Sequence, residues 1–210
     1  YAEKNWGKGF PAKWFWVQCN AFKNTETEED TELSLTAVGA LRELPGISES
    51  LEEVGMIGLH YDGDFIALTP RDSIVTWTVD EWGRWEIQAE RSADASSDTD
   101  GDSRLRAEVL ATCAPRAGTP LRAPTPTNGL FPVCKDTFEG HVRVRLWKDD
   151  SLVLDATSDN AGLEIGGGPW DERWRGKAEL TPVVRALWSA PVDIERVFEG
   201  PLASLRPPGL

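Results

Sequence analysis

The sequence predicts a mainly β protein, built as a closed or nearly closed antiparallel β-barrel with one or two short helices near the C-terminus. Short runs of alternating apolar and polar residues recur along most of the chain, which is the pattern of half-buried strands. Tight-turn signals separate these runs, and the strongest is the pair Asp62 and Gly63. Helix signals appear only late, where Thr181 suits an N-cap and Pro182 suits the first helical position.

The predicted strands follow one another along the chain. They cover residues 13–22, 33–41, 55–61, 64–68, 73–79, 82–89, 104–112, 140–147, 152–157 and 161–165. The alternation is cleanest in residues 140–147, where Val142, Val144 and Leu146 are expected to face the core. The two predicted helices cover residues 181–188 and 191–199.

The segments between the strands predict loops. Residues 26–32 and 94–102 are acidic runs expected in solvent, and residues 92–103 as a whole predict a flexible acidic loop. Residues 114–132 contain several prolines and predict a long loop, which we interpret as a lid over a cavity. Residues 155–160, followed by Glu164 and the glycine run 166–168, form a dense polar stretch. The glycines would allow close backbone approach to a ligand, but a tight bend capped by Asp and Asn side chains is the preferred interpretation.

Composition excludes some classes of protein. The net charge of −13 argues against nucleic acid as a partner, because phosphate contacts require clustered Lys and Arg. Three cysteines without a close pair predict free thiols in a reducing compartment. No stretch approaches the roughly 20 apolar residues of a transmembrane helix, and no signal or transit peptide is visible. Because a strong motif follows directly after Tyr1, we expect a piece of a longer protein whose N-terminal part is missing.

The opening of the chain concentrates Trp and amide side chains. It contains Trp6, Trp14, Trp16, Asn5, Gln18 and Asn20. On a strand covering residues 13–22, Trp14, Trp16, Gln18 and Asn20 share one face with Phe22. Such a face could hold a large apolar ligand with a polar end, because a buried indole N–H needs a partner. An ordinary core strand explains the pattern equally well.

Two groups of residues could transfer protons. Glu3 and Lys4 lie beside Trp6, and a carboxyl group in an apolar, Trp-lined site is a good proton donor. A surface ion pair at a chain end is the alternative interpretation of Glu3 and Lys4. His60 and Asp62 share one face of a predicted strand, although Asp62 also suits a tight turn.

Several long, Trp-rich strings resemble the tocopherol cyclase family of plants and algae. They are AEKNWG from Ala2, FPAKWFWVQCN from Phe10, GLHYDG from Gly58, LRAPT from Leu121, LDATSDNAGLEIGGGPW ending at Trp170, and the terminal PPGL. The similarity runs through the whole chain and is interrupted mainly at residues 26–32 and 92–103. It corresponds to the C-terminal half of the longer family proteins.

The resemblance implies a lipocalin-like β-barrel within a two-barrel protein, with residues 1–210 as its C-terminal lipocalin-like portion. It implies an enzyme that closes the chromanol ring of vitamin E from a small-molecule prenylquinol, a phytyl-substituted methylbenzoquinol. The expected location is the plastid, at lipid droplets called plastoglobules, with peripheral association to droplets or membranes. No redox cofactor and no metal is implied.

The implied reaction assigns roles to the polar and aromatic residues. The prenyl double bond is protonated, and the quinol oxygen then captures the tertiary carbocation. The expected catalytic residues are Glu3, Lys4, His60 and Asp62. The expected substrate-binding residues are Asn5, Trp6, Trp14, Trp16, Gln18, Asn20 and Trp170. A lipocalin-like protein that binds a prenyl lipid or quinol without converting it is the alternative function.

Glu3 is the expected proton donor. Carotenoid hydratases also protonate an alkene, and they are similar in carrying Asp-His-x-Trp-Gly where this chain has Glu3-Lys4-Asn5-Trp6-Gly7. The chain departs from that motif at Lys4, which replaces the His, so the resemblance does not carry over a His-based proton relay. His60 or Asp62 is the alternative acid or base.

Overall fold

The computed structural model describes residues 10–43, 51–80, 82–92, 103–125, 129–167 and 172–180. These residues form thirteen β-strands and no helix, which confirms the prediction of a mainly β protein. The strands are β1 (Lys13–Cys19), β2 (Phe22–Asn24), β3 (Asp30–Thr31), β4 (Leu33–Glu43), β5 (Leu51–Tyr61), β6 (Asp64–Leu68), β7 (Ser73–Val79), β8 (Arg84–Arg91), β9 (Leu105–Thr112), β10 (Thr119–Thr125), β11 (Gly129–Lys148), β12 (Ser151–Gly166) and β13 (Trp174–Ala178). Both predicted helices, and residues 93–102 of the predicted acidic loop, lie outside the described residues. The described residues contain no helix long and apolar enough to cross a membrane.

The strands form one antiparallel sheet in the order β13-β7-β8-β9-β11-β12-β1-β4-β5-β6, with β10 paired to β11 and the β2–β3 hairpin paired to β12. The sheet curls until β13 contacts β5, the strand next to the opposite edge strand β6. There the backbone N–H of Lys177 donates to Oε2 of Glu53 at 2.9 Å. The sheet is therefore nearly closed, but a side-chain contact, and not a strand ladder, joins these two strands.

Two hairpins form where the sequence predicts them. Asp62 and Gly63 have φ angles of 52° and 81°, and they connect β5 to β6. Asp149 and Asp150, with φ angles of 49° and 67°, connect β11 to β12. Both central residues of a type I′ turn need positive φ, and Gly, Asp and Asn adopt it more readily than other residues. Local turn chemistry thus sets the register of both hairpins.

The core fills the inside of the curled sheet. Phe15 on β1, Trp77 on β7 and Trp174 on β13 meet edge to face, with ring centroids 5.4–5.9 Å apart. Trp77 lies across Gly176 on β13, where an added Cβ would come within 2.1 Å of the indole. Within the described part of the chain the Trp77 indole N–H has no hydrogen-bond partner, so packing alone holds this ring. The aromatic cluster ties β13 to the rest of the sheet.

The predicted strand over residues 13–22 is wrong at its end. β1 stops at Cys19, and the chain starts a new strand at Phe22. Phe22 is 2% exposed and belongs to the core with Phe15 and Val17, instead of sharing a face with Trp14. The break between the strands shifts the alternation, so residues after Cys19 no longer follow the parity of β1.

The predicted loop over residues 114–132 and the predicted bend over residues 155–160 are also wrong. Residues 119–125 form β10, which pairs with the start of β11. Pro120 and Pro124 fit there because β10 pairs on one side only, and an edge strand tolerates proline. Residues 155–160 lie within β12, where a register shift opposite Gly140 and Val142 absorbs the irregularity.

Because of a cluster of polar side chains on the outer face of the sheet, we expect the stability of the fold to decrease in acid. Arg143 donates to both carboxylate oxygens of Asp155, at 2.8 and 2.5 Å, and Thr25 adds a bond of 3.0 Å. The Arg143 hydrogen bond, helped by Thr25 and opposed by burial, holds the pKa of Asp155 below its usual range. Because the folded-state pKa is lowered, this contribution to stability is present above the unfolded-state value of about 3.9 and is lost as pH falls through the folded-state pKa.

We therefore expect Asp155→Asn to lower the free energy of unfolding by about 1 kcal/mol at pH 7, the upper range for a partly exposed pair. The difference from the wild type should vanish as the pH falls below the folded-state pKa of Asp155. Urea titrations across this range measure it. Asp159→Asn on the same strand is the matched control, because the Asp159 side chain is 90% exposed and pairs only with the exposed His141 in the described structure. A pH-independent deficit in Asp155→Asn would contradict the expectation.

Candidate functional site

A cavity of about 390 Å³ lies on the outer face of the sheet, across β1, β4, β12, β11 and β10. On β1, Phe15, Val17 and Cys19 face the core, so the alternate residues Trp14, Trp16 and Gln18 face the cavity. The lining is mostly apolar, and a few polar groups interrupt it. Concave, apolar sites of this size with few polar groups are typical of small-molecule binding.

Aromatic rings form much of the wall. The aromatic side chains on the outer face that line the cavity are Phe10, Trp14, Trp16 and Phe138. Phe10 stacks on Trp14 with centroids 5.3 Å apart and an interplanar angle of 11°. Phe10 and Phe138 are 49% and 58% exposed, whereas Trp14 is 9% exposed. The aromatic surface thus extends from the sheet outwards to the rim.

Strand register places two carboxyl groups in the same wall. Trp16 on β1 is opposite Glu164 on β12, and Glu164 is opposite Asp136 on β11. Directly opposed residues in an antiparallel pair point to the same face, with Cβ atoms about 4.5–5.5 Å apart. Both carboxyl groups line the cavity. A row of indole, carboxyl and carboxyl therefore crosses three neighbouring strands.

Trp14 fixes the orientation of Glu164. Its indole Nε1–H donates a hydrogen bond to Oε1 of Glu164. The ring lies flat on Gly166, where an added Cβ would come within 2.1 Å of the indole. Only glycine leaves room for this approach, so the backbone of β12 positions the ring that in turn positions the carboxyl group.

Amide and basic side chains are fewer in the lining of the cavity than aromatic ones. Gln18 accepts a hydrogen bond from Nε1 of Trp16 at 3.3 Å, which gives this half-buried indole a partner. Arg122 on β10 is an exposed lining residue. The described residues contain no group of three or more His, Cys, Asp or Glu side chains placed to hold a metal ion.

The structure brings together only part of the predicted site. Trp14, Trp16 and Gln18 line the cavity, whereas Asn20 is exposed beyond the end of β1 and does not. His60 is exposed on β5, and Asp62 is in the β5–β6 turn with φ of 52°, so neither lines the cavity. The remaining predicted site residues, Glu3, Lys4, Asn5, Trp6 and Trp170, lie outside the described residues.

Sequence reasoning missed Asp136, and it placed Glu164 in a polar stretch before the glycine run without giving it a role. Glu164 stands between Leu163 and Ile165, both buried in the core, so alternation alone would turn it to the outer face. A charged residue on that face, flanked by Gly162 and Gly166, was the available signal. Glu164 meets Trp14, 150 positions away along the chain, because β1 pairs with β12. No local pattern in the sequence indicates this contact.

The fold and the cavity define a class of β protein: a curled antiparallel sheet with a filled core and an aromatic, carboxyl-bearing ligand site on its outer face. Residues 1–167 match the family model described as tocopherol cyclase-like, and the chain belongs to this family.

Two curated relatives align with the whole chain. The chloroplastic tocopherol cyclase of Zea mays is 42% identical over 216 aligned positions, and the probable chloroplastic tocopherol cyclase of Oryza sativa subsp. japonica is 40% identical. The chain spans 42% of the length of each of these relatives. No solved structure matches the chain significantly.

Proposed function

We propose that this chain is a lipocalin-like portion of a tocopherol cyclase, which closes the chromanol ring of a phytyl-substituted methylbenzoquinol. The observation that carries the proposal is an apolar cavity that combines aromatic faces with carboxyl groups. Membership of the family and the names of the two plant relatives support it. The substrate is a small prenylquinol, and neither nucleic acid nor a metal takes part.

The chemistry requires a proton donor, a shielded cation and a proton acceptor. Protonation of the prenyl double bond creates a tertiary carbocation, and water would quench it as an alcohol. Aromatic faces stabilise a cation by about 0.5–2 kcal/mol each, with the larger values in dry surroundings. Trp16 offers such a face in the cavity, whereas the ring of Trp14 is covered by Phe10 and Gly166; Gln18 offers an amide that could hold a quinol oxygen.

We further propose that the protein works in the plastid, in agreement with the chloroplastic names of both relatives. Peripheral association with plastoglobules would give it access to a lipid-soluble substrate. Glu3 and Lys4 remain proposed catalytic residues on the basis of the sequence, with Asn5, Trp6 and Trp170 as proposed contacts to the substrate. Asn20, His60 and Asp62 would need a substrate that extends beyond the cavity to take part.

The test uses the complete gene product that contains this chain. The purified protein is incubated with the reduced phytyl-methylbenzoquinol, and the chromanol product is quantified by chromatography. Binding is measured in parallel by quenching of Trp fluorescence, since Trp14 and Trp16 line the cavity. We expect catalytic chromanol formation. Saturable binding without chromanol would reject the cyclase and support the alternative of a non-catalytic prenyl-lipid-binding protein.

A further inference from the structure

We propose that Glu164 is the proton donor of the cyclisation and that Asp136 is the base that receives the phenolic proton. This inference rests on the proposed function and assigns its chemistry to two residues to which the sequence alone gives no role. Both are carboxyl groups, both line the cavity, and both face it from adjacent strands. A substrate in the cavity would contact them together with Trp14 and Trp16.

The hydrogen bond from Trp14 selects the reactive oxygen of Glu164. The indole Nε1–H donates to Oε1, and the carbonyl oxygen of a neutral carboxyl group is the better acceptor of such a bond. When Glu164 is protonated, this hydrogen bond therefore favours the proton on Oε2. The ring of Trp14 is held against Gly166, so the donor cannot turn away and release the carboxyl group. Glu164 thus holds one oriented O–H in the wall of the cavity.

The opposed carboxyl groups are suited to holding one proton between them. Directly opposed residues on neighbouring antiparallel strands have Cβ atoms about 4.5–5.5 Å apart, so the two carboxyl groups are close enough to pass a proton from one to the other. Aromatic side chains cover this wall on the side of β1, where Trp16 is opposite Glu164. The transient cation would then form beside the indole of Trp16 and a carboxylate, which both stabilise it.

The proton balance closes without a co-reactant. Glu164 Oε2–H gives its proton to the less substituted carbon of the prenyl double bond and becomes a carboxylate, while the adjacent carbon becomes a tertiary cation. The quinol oxygen forms the new C–O bond with that carbon, and its proton passes to the Asp136 carboxylate. Transfer of this proton from Asp136 to Glu164 restores the starting state, so the net reaction is an isomerisation.

Glu164→Gln is the decisive variant. The glutamine keeps the shape of the side chain and an oxygen that accepts the Trp14 hydrogen bond, but it has no acidic proton. Removal of a general acid costs about 10²–10⁴-fold in rate, so we expect kcat for chromanol formation to fall at least 100-fold. The affinity for the quinol, measured by Trp quenching, should stay within about threefold. Asp136→Asn should also lower kcat while leaving binding intact.

The controls separate this assignment from its rivals. Glu86→Gln changes a partly exposed carboxyl on β8, outside the cavity, and should leave both readouts unchanged. Glu3→Gln tests the donor that the sequence suggests. Wild-type turnover in Glu164→Gln, with loss of turnover in Glu3→Gln, would overturn the assignment while the cyclase function stands. Binding without chromanol in the wild type would overturn the function and the assignment together.

Discussion

We expect Trp77→Ala to lower the free energy of unfolding by about 3–5 kcal/mol, the range for deleting a large buried aromatic side chain. Trp77 is 3% exposed and contacts both Phe15 and Trp174 through edge-to-face packing. Its removal leaves a cavity where β7, β13 and β1 meet. Because β13 contacts β5 across the open side of the sheet, the loss also weakens the near-closure of the fold.

Urea unfolding of the chain measures this effect, and Trp147→Ala is the matched control. Trp147 lies on the outer face between the guanidinium groups of Arg106, at 4.0 Å, and Arg145, at 5.2 Å. Its truncation removes partly exposed cation–π contacts, so we expect a loss of about 1 kcal/mol. An equal loss in both variants would contradict the view that the Phe15–Trp77–Trp174 cluster holds the sheet together.

We expect Gly166→Ala to lower both the folding stability and the affinity for the ligand, because it introduces a methyl group beneath Trp14. The new Cβ would lie 2.1 Å from the indole, so the ring or β12 must move. Overpacking of this kind costs about 1–3 kcal/mol of folding stability. A displaced ring also loses its hydrogen bond to Glu164, and the affinity for the prenylquinol should fall with it.

Gly162→Ala supplies the comparison on the same strand and the same face. Its added Cβ would meet Phe138 at 3.5 Å, which is ordinary van der Waals contact. Thermal unfolding of the two variants should therefore diverge, with Gly162→Ala close to the wild type in stability. Because Gly162 also lines the cavity, quinol binding should fall less in Gly162→Ala than in Gly166→Ala. If both variants bind the quinol as the wild type does, Trp14 does not need to rest on Gly166 to form the site.

Local chemistry explains which parts of the fold were predictable. The Asp62–Gly63 turn determines where β5 ends and β6 begins, and alternation in residues 140–147 correctly assigns Val142 and Val144 to the core. β10 was missed because its prolines suggest a loop, and only its position at the edge of β11 makes them acceptable. The prediction failed where pairing between distant strands overrides the local signal.

For the cavity, too, local alternation groups some of the lining residues, whereas pairing between distant strands brings in the others. The alternation of β1 correctly groups Trp14, Trp16 and Gln18 on one face, and all three line the cavity. The same pattern included Asn20, which lies beyond the strand end and is exposed. Glu164 and Asp136 come from β12 and β11, and their meeting with Trp16 follows from register across three strands. No window of the sequence contains that information.

The outer position of the cavity divides the residues of β1 between two tasks. Val17 and Cys19 fill the core away from the cavity, so substitutions there act on folding, whereas Phe15 packs in the core and also lines the cavity. Trp14 and Trp16, the intervening residues, contact the cavity, so substitutions there can change ligand preference while the core stays intact. A conventional barrel with an internal ligand makes the same side chains serve both tasks. In this protein, the lining of the cavity and the packing of the core can be changed largely on alternate residues of one strand.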